Sequence, residues 1–123
     1  METALVFDRQ GRTIYWHEPN GRTSGSIPDT RSLWDVLWEN RNILGGVAHT
    51  HPWDGEANPS GTDITTFDAI ERGLGRQLLW PVVTFTHVAY VVKDPWNGKY
   101  YHLSGEDVIP EIQDIEELRN RSR

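Results

Sequence analysis

The hydrophobic pattern divides the chain into short elements. "ALVFDRQGRTIYWHEP" alternates β-forming and polar residues around Arg9-Gln10-Gly11, which predicts a β-hairpin from Thr3 to about Glu18. The Gly/Ser/Pro cluster from Asn20 to Asp29 predicts a loop. In "TRSLWDVLWENRN", Leu33, Trp34, Leu37 and Trp38 recur at helical spacing, with Thr30 or Ser32 as N-cap, and the apolar face is expected in the core. Ile43 to His51 reads as a short buried strand stopped by Pro52, and its Gly45 and Gly46 imply a neighbour packed close to the backbone. "TDITTFDAIERGLGR" predicts a second helix that starts at Thr62 or Asp63, aligns Phe67, Ile70 and Leu74, and ends near Gly73 or Gly75. "LLWPVVTFTHVAYVVKD" is too long and too β-branched for one strand and predicts two, with a further strand in "NGKYYHL" after the Asn97-Gly98 turn. A short helix is expected in the tail from Glu106. The order β-β-α-β-α-β-β-β is that of a mixed α/β (α+β) domain, helices packed on a largely antiparallel or mixed sheet.

Length and composition narrow the classes. At 123 residues the chain is expected to form one domain over 1–123 with one modest core. Its 37% hydrophobic content and six Trp favour a packed fold over a disordered segment. A net charge of -6 offers no general basic surface for counterion release, so nucleic acid is a poor partner. With no cysteine, any metal must be held by His and carboxylate. The N-terminus has no basic leader and no window approaches the ~20 apolar residues of a membrane span, so a soluble, cytoplasmic protein without membrane partners is expected.

The chemistry concentrates in "HTHPWDGEANPSGTD". Residues i and i+2 of a strand share a face, so His49 and His51 project side by side where the strand gives way to a loop. Asp63, in the first turn of the next helix, can supply a third ligand. Two His and one carboxylate leave a fourth tetrahedral position for water, the arrangement of hydrolytic rather than structural zinc sites. The plainer alternative is a pair of surface histidines followed by a turn and a helix cap.

His-x-His-Pro, seven residues, then Ser-x-x-Asp resembles the signature of the JAMM (MPN-plus, JAB domain) zinc metalloproteases, with a helix and a buried strand before it and "WPVVTFT" as a strand after it. The resemblance implies a mixed, partly barrel-like sheet flanked by helices, an architecture like that of cytidine deaminases, with Zn2+ at the sheet edge. It implies that His49, His51 and Asp63 are the zinc ligands, and that Ser60 orients water and supports the oxyanion. It also implies an upstream glutamate as general base, here without a clear family-like setting. Glu18 and Glu2 are both placed by a hairpin at one end of the sheet. Glu18 is preferred, because Glu2 lies near a terminus prone to fraying; Glu39 belongs at the wrong end of its strand.

The resemblance implies cleavage of a peptide or isopeptide bond, in a peptide or protein such as a ubiquitin-like modifier. A non-catalytic interaction domain of MPN type and a hydrolase of small amides are the alternatives. Among other residues, Trp34, Trp38 and Trp80 are expected in the core, His87 in the sheet, and Trp53 either packed or lining a substrate groove. His17 and His102 are candidates to support the ligands, and Asp54 and Glu56 lie near the motif on a solvated loop.

Overall fold

A computed structural model of the chain describes residues 1–104, 107 and 109–123. Strands β1 (Ala4–Asp8) and β2 (Thr13–His17) form the first hairpin, followed by α1 (Arg31–Glu39), β3 (Leu44–Thr50) and α2 (Gly61–Leu74). Strands β4 (Trp80–Val83), β5 (Val88–Lys93) and β6 (Tyr100–His102) come next, and α3 (Ile115–Ser122) closes the sequence. Glu106 and Val108, at the start of the expected terminal segment, lie outside the described residues.

The strands form one sheet in the order β2-β1-β3-β4-β5-β6, antiparallel except for the β3–β4 pair. Among the described residues β2 and β6 do not pair, so the sheet is open where a partly barrel-like closure was expected. No helix of the described residues is long and apolar enough to cross a membrane.

Helices pack on both faces. On one, Leu33 and Leu37 of α1 and Phe67, Ile70 and Leu74 of α2 meet Ala4, Val6, Val47, Trp80 and Val82. On the other, Leu5, Phe7, Ala48 and Val83 are covered by Ile112 and Leu118. Ala4, Leu5, Val6 and Phe7 are therefore all buried, and β1 has no solvent face.

The glycine pair of β3 is a packing requirement. A Cβ on Gly46 would stand 1.8 Å from the Leu79 carbonyl oxygen, and one on Gly45 2.3 Å from that of Asp8, so only glycine lets β1 and the segment entering β4 close on both sides of β3. Thr30 caps α1 through the Leu33 N–H as expected. Helix α2 begins at Gly61, slightly before the expected Thr62 or Asp63, with Ser60 as N-cap, and ends on Gly75 in the left-handed region at φ 70°. Two further expectations are corrected: Trp38 is 52% exposed with the Arg41 guanidinium over its ring, and His87 precedes β5 instead of lying in it.

Candidate metal centre

The register of three strands builds the site. Ala4 pairs with His17 on one side and His49 on the other, and His49 with Val82, so these side chains form one row on the face that α1 and α2 cover. Two residues on from His49, just past the end of β3, the same face carries His51, and two residues back from Ala4 it carries Glu2. A Glu2 carboxylate oxygen and one ring nitrogen each of His49 and His51 accordingly lie within 4.8 Å of one another, all three residues buried.

Helix α2 supplies the fourth group. Its N-terminus carries a reciprocal capping box: Ser60 Oγ accepts from the Asp63 N–H at 3.1 Å, while the Ser60 N–H donates to Asp63 Oδ2 at 2.8 Å. The box aims Asp63 Oδ2 at the imidazoles, 3.1 Å from His49 Nε2 and 3.0 Å from His51 Nε2. The two Nε2 atoms are themselves 3.1 Å apart.

These three contacts cannot all be hydrogen bonds. Two neutral imidazoles bring at most two protons to three edges, and if both protons point at Asp63 the two nitrogens face each other as donors. A cation removes the conflict by making all three atoms lone-pair donors to one centre. The separations approach the roughly 3.3 Å edge of a tetrahedron whose ligands lie ~2.0–2.1 Å from zinc. His51 Nδ1, the ring nitrogen outside this triangle, is buried without a hydrogen-bond partner among the described residues. The donor set, two imidazole nitrogens and a carboxylate, therefore fits a borderline divalent ion.

The electrostatics favour a charged Asp63. Burial opposes ionisation, but the hydrogen bonds and charges of His49 and His51, with the Ser60 N–H, outweigh it and hold the carboxyl well below the usual range. Burial pushes Glu2 above its ordinary value; the imidazoles pull it back and Asp63 adds to the rise. Among the described residues the Glu2 carboxylate makes no hydrogen bond to either imidazole, and it faces the same pocket as Asp63.

Glu18, the preferred base from the sequence, is placed elsewhere. It follows His17 directly and so turns to the opposite face, where its exposed carboxylate pairs with Arg22 at 3.3 Å and with Arg121 of α3. The structure thus gathers His49, His51, Asp63 and Ser60 as expected, and brings Glu2 rather than Glu18 to them. His17, 2% exposed, also lines the pocket, with Nε2 2.8 Å from the Pro28 carbonyl oxygen. The Trp53 ring lies against His51 with centroids 4.7 Å apart and is 46% exposed, at the pocket wall. His102 is on β6, and neither it nor Asp54 nor Glu56 lines the pocket. The signal that would have selected Glu2 is parity: once Ala4 is paired with His49, only even-numbered residues of that segment face the histidines.

Compared with models of known protein families the chain matches none, and no curated protein is significantly similar to it.

Proposed function

We propose that the protein is a zinc-dependent peptidase or isopeptidase of JAMM type, hydrolysing an amide bond of a peptide or of a protein such as a ubiquitin-like modifier. The observation that carries this reading is the convergence of His49 Nε2, His51 Nε2 and Asp63 Oδ2 at 3.0–3.1 Å beside the buried Glu2 in a pocket open to substrate.

His49, His51 and Asp63 would hold the ion. When bound, it supplies Lewis acidity and lowers the pKa of water enough for attack at neutral pH. Glu2 then takes a proton from the attacking water on a carboxylate oxygen and returns it to the departing amine nitrogen, a general base whose burial keeps it basic. Ser60 Oγ already accepts from the Asp63 N–H, so its own proton, which has no acceptor among the described residues, is free to donate to the carbonyl oxygen as negative charge develops there. The capping box keeps Asp63 Oδ2 aimed, and Trp53 shields the His51 ring from bulk water.

The test is elemental mass spectrometry of protein purified without chelator, with hydrolysis of peptide and isopeptide substrates followed in parallel. Near one zinc per chain is expected, lost in His49→Ala and Asp63→Ala. No zinc uptake by the unmodified protein would overturn the proposal.

A further inference from the structure

The pocket extends well beyond the metal ligands. It encloses about 560 Å³, within the range of sites that engulf a small molecule or a large side chain. From His49 it runs along the same face of β3 to Val47 and is lined by Phe67, Ile70, Trp80, Leu33 and Ile27. The walls are continuous with the ligands: the Phe67 ring meets His49 edge-on at 5.8 Å between centroids and stacks on Trp80 at 4.3 Å. Ile27 comes from the loop between β2 and α1, packs half-buried against the edge of the core, and lines the recess from there.

The charge of the lining is one-sided. Glu2, Asp29 and Asp63 contribute carboxylates, and no lysine or arginine lines the pocket among the described residues. Beyond the metal ligands, a substrate carboxylate or phosphate would find no lysine or arginine to pair with and would lose its hydration. A glycine in that position would leave the apolar walls facing empty volume and forfeit their contacts.

We infer that this recess accepts a bulky, uncharged apolar group, an aromatic or branched aliphatic side chain or an acyl chain, adjoining the amide bond that the site cleaves. The inference rests on the metallohydrolase reading for the bond but on the recess alone for the group beside it. The specificity determinant is Ile27 with Phe67, and selectivity grows with the apolar surface buried, at about fourfold per buried methylene.

A graded hydroxamate series tests this by calorimetry on zinc-loaded protein and by NMR shift perturbation on metal-free protein. Acetohydroxamate, hexanohydroxamate, 3-phenylpropanohydroxamate and the monohydroxamate of succinate are the probes. The expected result is tightening by on the order of a hundredfold from the acetyl to the phenylpropanoyl compound, with the succinate compound weakest. The same ordering is expected without metal at lower affinity, and Ile27→Trp, which fills the recess, should abolish it. Equal affinity of the acetyl and phenylpropanoyl compounds, or tightest binding of the succinate compound, would overturn the inference. The unmodified protein alone decides between these outcomes should Ile27→Trp fail to fold. Peptides differing only in Phe, Leu or Gly before the scissile bond separate the two readings. Graded hydroxamate binding without cleavage of any peptide supports the recess and removes the hydrolase, whereas cleavage with no preference for Phe or Leu over Gly keeps the hydrolase and removes the recess.

Discussion

Helix α2 carries two inward-facing carboxylates about two turns apart, and they live in opposite circumstances. Glu71 is fully partnered: it accepts from the Leu78 N–H at 2.7 Å, from Trp80 Nε1 at 3.1 Å and from the Tyr100 hydroxyl, with Lys93 Nζ at 3.6 Å. Burial and this carboxylate push the Tyr100 hydroxyl well above its ordinary value, so it remains a donor. Asp63 instead shares a single oxygen among two imidazoles and a backbone N–H, in a triangle that protons cannot fill. A buried polar group with every lone pair used ties β4 and β6 to the helix and has nothing left to offer a ligand. One whose partners conflict is a place where a cation from outside the chain would resolve them.

The largest effect that would sharpen this contrast is on turnover. Glu2→Gln keeps the shape of the site and removes the base, so hydrolysis should fall by about 10²–10⁴-fold with zinc content unchanged, read from steady-state rates and metal analysis. A variant of undiminished rate would exclude Glu2 as the base.

Next is the partnered cluster. Glu71→Ala leaves the buried Trp80 N–H, the Leu78 N–H and the Tyr100 hydroxyl without the acceptor they share, and should cost about 3 kcal/mol in urea unfolding, while zinc binding of the folded protein persists. Loss of zinc binding in protein that is still folded would show that the two clusters are not independent. For Asp63 the same measurement should respond to metal. Zinc at a hundred times its dissociation constant should raise stability by ~2.7 kcal/mol, and His49→Ala should erase that gain. Stabilisation surviving in His49→Ala would place the ion elsewhere.

Smaller still is the cap. Ser60→Ala should cost about 1 kcal/mol of stability through loss of the capping box, with weaker zinc binding because Asp63 is less firmly aimed. The smallest effect is expected at the rim of the site, from His17. Burial pushes its pKa down, against the pull of the Pro28 carbonyl and Asp29, so the unfolded chain binds more protons than the folded one. Its contribution to stability is complete above the unfolded value of about 6.5 and is lost as pH falls from there toward the folded value. Metal-free protein should therefore unfold more readily at pH 5.5 than at pH 7.5, with a shallower dependence in His17→Gln.

The candidate ligands were legible because their spacing is local. Two histidines two residues apart on a strand must share a face, and an aspartate three residues after an N-cap serine must lie in the first helical turn, whatever the rest of the chain does. The β-β-α-β-α-β-β-β order was legible for the same reason, since each element is announced by its own period, cap or turn. The glycine pair of β3 also declared a close neighbour, though not which one.

Which glutamate reaches the histidines and the shape of the pocket were not legible, because both depend on how distant segments register. Choosing between Glu2 and Glu18 requires the parity of β1 and β2 against β3. Alternation could not supply it, since Ala4 to Phe7 are buried on both faces and the strand reads as uniformly apolar. Likewise the openness of the sheet is decided by the pairing of its edge strands, and the apolar recess by a loop residue, Ile27, that lines it together with Phe67 from a distant part of the chain. The sequence alone determined which side chains could bind a metal and on which elements they stand; only tertiary packing decided which glutamate joins them and what space lies beside them, because register and cavity shape are properties of segments in contact.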